Sequence, residues 1–245
     1  MTSSTKPKSA TPAKGRAPAR KTSSSSNVGL WIVGGAVLLV VLVVALLWMN
    51  QRGTTTGTAT AAAPDVPAEW INGATIGDPA APVVIQAWED FLCPACQQWT
   101  SAVEPQLFAD YVKTGKVRLE FHQFPLQQHA PGAQMSSQAS LCAADQNVFW
   151  PYHDRLFQAA STRGQAGVEI GQLTTFASEV GMDEAAFSQC MNNQTHMQTM
   201  VQSLGEAQQL GLSSTPSILV NGQLIADPFN YNSLIAAIDA ASPAN

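Results

Sequence analysis

Two cysteines three positions apart, Cys93-Pro94-Ala95-Cys96, stand where a strand-like run gives way to a helical pattern. That run is Pro82-Val83-Val84-Ile85-Gln86-Ala87-Trp88. A thiol at a helix start faces unpaired backbone N–H groups and the positive end of the helix dipole, which together stabilise its thiolate. A second thiol three residues on lies on the same helical face, close enough to close a small disulfide. The spacing therefore points to thiol–disulfide exchange, a chemistry that needs no metal and no cofactor beyond the two sulfurs. Two other readings share the motif: half of a zinc site completed by Cys142 and Cys190, or a bridge that is purely structural. Cys142 and Cys190 are isolated and form no second C-x-x-C, which disfavours zinc. Gln97 rather than His follows Cys96, which removes haem attachment.

The elements around the motif alternate in type. Pro82–Trp88 reads as a buried strand, and Pro94–Lys113 as a helix with an apolar stripe at Trp99, Val103, Leu107 and Tyr111. Pro105 is expected to kink or divide that helix. Val117 to Phe124 alternates apolar and polar, as a half-buried strand does. A long helical block follows over 132–210, with Asp183 as a candidate N-cap. Strand signals return at Pro216–Val220 and Gln223–Ile225, joined by the hairpin turn Asn221-Gly222, and Tyr231–Ala241 closes as a helix. This order implies an α/β fold, a central sheet with helices packed on it, carrying an all-helical insertion at about 130–210.

The flanking composition assigns the rest of the chain. No acid occurs before Asp65, whereas the segment from Asp65 onward holds five basic and seventeen acidic residues, a formal charge of −12. Such an acidic body argues against a nucleic-acid partner. Residues 1–27 are rich in Ser, Thr, Pro, Ala and Lys and are expected to be a disordered basic tail. Val28–Met49 is a run of 22 uncharged residues, long enough at about 1.5 Å per residue to cross a bilayer. Residues 50–67 read as a flexible linker, and 68–245 as the folded domain. Six basic residues precede the span and Arg52 alone follows closely, which predicts a single-pass anchor with a cytoplasmic N-terminus. The domain would then lie outside the cytoplasm, on the periplasmic or cell-wall side. All four cysteines fall in that exported part, and an even number there suggests two disulfides. Four cysteines allow three connectivities. The spacing favours Cys93–Cys96 and leaves Cys142–Cys190, closing a 48-residue loop worth roughly 3–4 kcal/mol in the chain-entropy model. Two buried free thiols are the alternative.

Several further pieces carry a resemblance. They are Asp90-Phe91-Leu92-Cys93-Pro94-Ala95-Cys96, Thr114-Gly115-Lys116-Val117-Arg118, Phe124-Pro125-Leu126 with His129, Cys142-Ala143, Phe149-Trp150-Pro151-Tyr152-His153-Asp154 and Ser214-Thr215-Pro216-Ser217. In order and spacing the segment from about Ile76 to Ala241 resembles the DsbA-like thioredoxin-fold thiol:disulfide oxidoreductases, of the membrane-anchored bacterial type. The resemblance implies that Cys93 is the exposed nucleophile and Cys96 the shielded partner. It implies a cis peptide bond at Thr215-Pro216, presenting the Thr215 backbone to an extended substrate. It also implies partners: unfolded or translocating proteins that carry cysteines, and a membrane or soluble redox protein that recycles the pair.

One position departs from the family pattern. Many relatives carry a buried acid six positions before the first active-site cysteine, and here that position is Ala87. Glu89 and Asp90 lie nearer, with a direction the alternation leaves open, so no obvious acid sits beneath the pair. None of the four histidines is spaced like a metal ligand: His153 and His129 read as packing or capping, His122 lies in a strand, and His196 on a helix surface. The leading expectation is disulfide formation in exported proteins. The alternatives are a reductase or isomerase using the same site, as in cytochrome maturation, and a tethered binding module with a structural bridge.

Overall fold

The computed structural model describes residues 64–243. The basic tail, the apolar run Val28–Met49 and most of the linker lie outside the described residues, with the expectations attached to them. Among the described residues no helix is long and apolar enough to cross a membrane.

A short hairpin, β1 (Ile71–Asn72) and β2 (Thr75–Ile76), opens the domain. Sequence patterning missed it because two-residue strands show no period. Strand β3 (Val83–Glu89) ends at the redox motif, and the helical pattern that follows is divided. Helix α1 (Pro94–Ala102) gives way at Val103 to α2 (Glu104–Leu107), which runs on as a π-turn over Phe108–Val112. Pro105 is the cause of the break: it has no N–H to return to the preceding turn, so it sits in the first turn of a new helix. Glu104, at the start of α2, is buried.

Strand β4 (Val117–Gln123) alternates as expected, with Val117, Leu119, Phe121 and Gln123 buried and the residues between them half-buried. The helical block resolves into α3 (Gly132–Ala144), α4 (Phe149–Arg163), α5 (Ile170–Glu179), α6 (Glu184–Asn192) and α7 (Met197–Gln209). Strands β5 (Ser217–Val220) and β6 (Gln223–Leu224) follow, and α8 (Tyr231–Ala241) closes the chain. The strands form one mixed sheet in the order β1-β2-β4-β3-β5-β6. β3 is parallel to β4 and antiparallel to β5. The turn between β5 and β6 needs two residues in the left-handed region, and Asn221 (φ 45°) and Gly222 (φ 79°) occupy it.

Each face of the sheet buries its own set. Ile85 and Ala87 join Leu119, Phe121, Trp99, Leu107, Phe149 and Tyr152 in the larger core. Trp88, of opposite parity, packs with Phe124, Ala207, Leu212 and Leu219 on the other face. The insertion is held internally by three ties. Asp183 caps α6, accepting from the N–H groups of Ala185 (2.9 Å) and Ala186 (3.0 Å). Gln146, just past α3, accepts from Asp183 N–H at 2.8 Å and donates to its carbonyl at 3.3 Å. A disulfide joins Cys142 of α3 to Cys190 of α6. Replacing both cysteines by alanine is expected to lower unfolding free energy by about 3–4 kcal/mol, read from urea denaturation. Unchanged stability would mean that the bridge does not constrain the unfolded chain.

Candidate active site

The register of β5 against β3 brings the distant parts of the site together. Ser217 pairs with Trp88, so the chain entering β5 passes the point where β3 ends. Thr215 and Pro216, immediately before Ser217, are joined by a cis peptide bond. Cys93 is the N-cap of α1, and its thiol donates to the Thr215 carbonyl oxygen at 3.4 Å across 122 positions of sequence. The helical insertion forms a third wall. A Cβ at Gly132, the first residue of α3, would come within 2.6 Å of Leu92 Cδ1, so α3 packs closely against the Leu92 side chain next to Cys93 in sequence. The preceding peptide, Ala130-Pro131, is also cis, a feature that sequence patterning did not single out.

Cys93 and Cys96 are free thiols in this structure, and their environments push them apart. Hydrogen bonding from the Cys96 thiol, with help from Thr215 and the backbone N–H groups of Cys96 and Ala95, brings the Cys93 thiol down to about 5 against the penalty of its burial. The Thr215 hydroxyl is buried and has no other partner, which leaves it free to donate to a Cys93 thiolate. Cys96 is fully buried, and burial first, then Cys93 and Glu89, drive its thiol far up. Cys93 is thus the sulfur that ionises and Cys96 the one that holds a proton.

The structure answers which acid lies beneath the pair in place of Ala87, a question the sequence left open. Glu89 and Asp90 are both fully buried. Glu89 has the parity of Ile85 and Ala87, so its side chain enters the larger core beneath α1, one pleat nearer the cysteines than Ala87. The two acids differ in how they are satisfied. Asp90 accepts from Leu92 N–H at 2.8 Å, Leu126 N–H at 2.9 Å and His129 Nδ1 at 2.7 Å, while its own N–H donates to Cys96 Sγ at 3.5 Å. Its carboxylate ties together the loops bordering the site, which gives His129 a structural partner. Glu89 accepts from Thr100 Oγ1 at 3.4 Å through Oε2, whereas Oε1 has no partner. Burial raises the Glu89 carboxyl well above the usual range, opposed by Thr100 and reinforced by the nearby Cys93 charge.

Two groups among the described residues bring metal-ligand residue types within 4.8 Å of one another. In the first, Cys142 and Cys190 are bonded to each other, leaving His196, which precedes α7 and contacts Asp145 Oδ2 at 2.8 Å. The second is Glu89, Glu104 and His153, packed beneath the redox pair. Sequence reasoning missed Glu104, because it stands beside the apolar stripe Trp99, Val103 and Leu107 rather than in it, and a charged residue there reads as solvent-facing. His153 is ringed by Phe91, Phe121, Phe149, Trp150 and Phe157, as its sequence context suggested, but it also meets this acidic pair.

Comparison with known proteins agrees with the geometry. The thioredoxin family profile matches residues 70–240. The probable disulfide bond formation protein D of Bacillus anthracis is 29% identical over 167 residues, covering 67% of this chain and 76% of that protein. The Na(+)/H(+) antiporter NhaA 3 of Salinispora tropica is 31% identical over 165 residues, which is 67% of this chain but 24% of that protein. Among solved structures, oxidised BdbD from Bacillus subtilis shares the fold with a TM-score of 0.64 at 22% identity, covering 69% of this chain and 92% of that chain. A thioredoxin-like oxidoreductase from Silicibacter pomeroyi has a TM-score of 0.58 at 26% identity, covering 74% and 98%. The chain belongs to the thioredoxin family. Its helical insertion gives it the DsbA-like form of that fold, and family, paired thiols and the disulfide bond formation relative together define a thiol:disulfide oxidoreductase.

The unequal thiols generate a pH prediction for the reduced protein. A depressed folded pKa contributes stability that is complete above the unfolded thiol value, about 8.5, and is lost as pH falls through the folded value, about 5. Iodoacetamide should therefore label Cys93 with a midpoint near 5 while Cys96 stays protected. A Cys93 midpoint at or above the ordinary thiol range would contradict the site as described.

Proposed function

We propose that this oxidoreductase introduces disulfides into exported proteins, with Cys93 as nucleophile, Cys96 as resolving thiol and the Thr215-Pro216 loop as the substrate platform. The observation that carries the direction is the depressed Cys93 thiol. A stabilised thiolate favours the reduced pair and makes Cys93 a good leaving group, so the disulfide form tends to oxidise other dithiols. A substrate thiolate attacks Cys93 Sγ, a mixed disulfide forms, and a second substrate thiol releases Cys93. Relatives named disulfide bond formation proteins support this direction. The reading places the domain outside the cytoplasm on a single N-terminal anchor, supported by the uncharged run Val28–Met49 and the basic residues before it. Substrates are translocating chains bearing reduced cysteines, and a separate redox protein reoxidises the pair.

Two measurements test the proposal together. Peptide oxidation and insulin reduction should fall to background in Cys93→Ser. Acid trapping of the thiols in cells should find Cys93–Cys96 mostly oxidised. A mostly reduced pair would reverse the direction to reductase or isomerase, and activity surviving in Cys93→Ser would remove the site altogether.

A further inference from the structure

Thiol exchange at a buried cysteine creates a proton problem. When substrate thiolate attacks Cys93 Sγ of the oxidised pair, the S–S bond breaks and its electron pair leaves on Cys96 Sγ. That sulfur is fully buried, so an unprotonated thiolate there is costly. Glu89 lies near enough to the Cys96 thiol to oppose its ionisation and is itself shut off from water. A single buried carboxyl can give its proton once, and then must be reloaded.

The surroundings of Glu89 lead outward. A carboxylate oxygen of Glu104 and a ring nitrogen of His153 lie within 4.8 Å of a Glu89 oxygen and of each other. A water bonded at about 2.8 Å to each of two groups bridges such a gap. Glu89 Oε1 and His153 Nε2 are buried without a protein partner, so both are free to take part. The other ring nitrogen, His153 Nδ1, meets Asp154 Oδ1 at 2.9 Å, and the Asp154 side chain is 62% exposed. Glu104 and Asp154 both line a cavity of about 670 Å³ whose walls include Thr100, Phe108 and Trp150. The cluster therefore touches the redox pair at one end and a wetted surface at the other.

We infer that Glu104 and His153 form a proton relay that reloads Glu89, connecting buried Cys96 to the cavity at Asp154. The inference rests on the exchange reaction proposed above. Glu89 gives its proton to the departing Cys96 thiolate and becomes a carboxylate. Glu104 or the His153 imidazolium replaces that proton and recovers one from the cavity. The second substrate thiolate then attacks the mixed disulfide, and Cys93 leaves as thiolate. Two electrons pass from the substrate dithiol to the pair, one proton ends on Cys96 and the other in water. When the pair is reoxidised the relay runs in reverse. Glu104 has the proton affinity that such a relay needs, because burial, against the pull of the His153 charge, raises its carboxyl to about 8. The ionisable groups around the cluster are Cys93, Cys96, Glu89, Glu104, His153 and Asp154, and Lys113 lies on the cavity wall.

The test is single-turnover oxidation of a dithiol peptide by the oxidised protein, followed from pH 5.5 to 9.5 in H2O and D2O at about 1-unit steps. Glu104→Gln keeps the side chain's shape and removes its titration. It should slow the turnover about 10- to 100-fold, abolish the rate change near pH 8 and enlarge the solvent isotope effect, with the Cys93 alkylation midpoint unchanged. Asp154→Asn, at an exposed position, should slow turnover in the same direction by a smaller factor, and serves if Glu104→Gln does not fold. Rates and pH profiles within twofold of wild type in the folded variants would overturn the relay. So would one equivalent of tightly bound metal, found by elemental analysis of the purified wild type and lost in Glu104→Gln, because ligated carboxylates cannot pass protons. Failure of the wild type itself to oxidise the peptide would instead reject the exchange reaction.

Discussion

Strand β3 is paired on both edges, with β4 on one side and β5 on the other. A strand held this way cannot slip by one residue without exchanging Ile85 and Ala87 for Gln86 and Trp88 in the larger core. Everything at the site follows from that register. It sets where the chain leaves the sheet, and so where α1 begins and Cys93 caps it. It sends Glu89 under α1 and Trp88 to the opposite face. Through the Trp88–Ser217 pair it also brings the Thr215 carbonyl to the thiol.

Around that fixed point, the chain places charge unevenly. Asp90 is surrounded by donors and acts as a clasp between loops. Glu89, its neighbour in sequence, points the other way and keeps an unpaired oxygen in the buried space beneath α1. The same contrast separates the cysteines. Cys93 collects hydrogen bonds that favour its thiolate, while Cys96 has burial and a nearby carboxyl that oppose ionisation. A pair built so unequally attacks and leaves through one sulfur and stores the proton on the other, the division that exchange through a mixed disulfide requires.

The insertion is more than an ornament on the sheet. Its first helix packs on Leu92 through Gly132, its second contributes His153 to the buried cluster, and the Cys142–Cys190 bridge ties its first helix to its fourth. The sheet positions the thiols, and the helices close the space behind them.

Much of this was legible in the linear chain. Alternation over Val117–Gln123 set β4, Asn221-Gly222 set the last hairpin, and Pro105 divided the helix after the motif, because each depends on interactions within a few residues. Cys93-Pro94-Ala95-Cys96 announced its chemistry for the same reason: a sulfur at a helix start is a local arrangement. The buried acid was not legible. Ala87 stands where the resemblance leads one to look for it, and nothing local tells whether the side chain two residues later keeps its strand direction as the turn begins. Glu104 was hidden because it lies beside the apolar stripe rather than in it, and His153 looked like packing because its aromatic neighbours dominate its sequence context. Only the folded chain, with α1, α2 and α4 closed over the end of β3, decided that these three polar groups share one space. A pKa shift or a proton path depends on distance and exclusion of water between residues far apart in sequence, and those quantities exist only once the tertiary structure has formed.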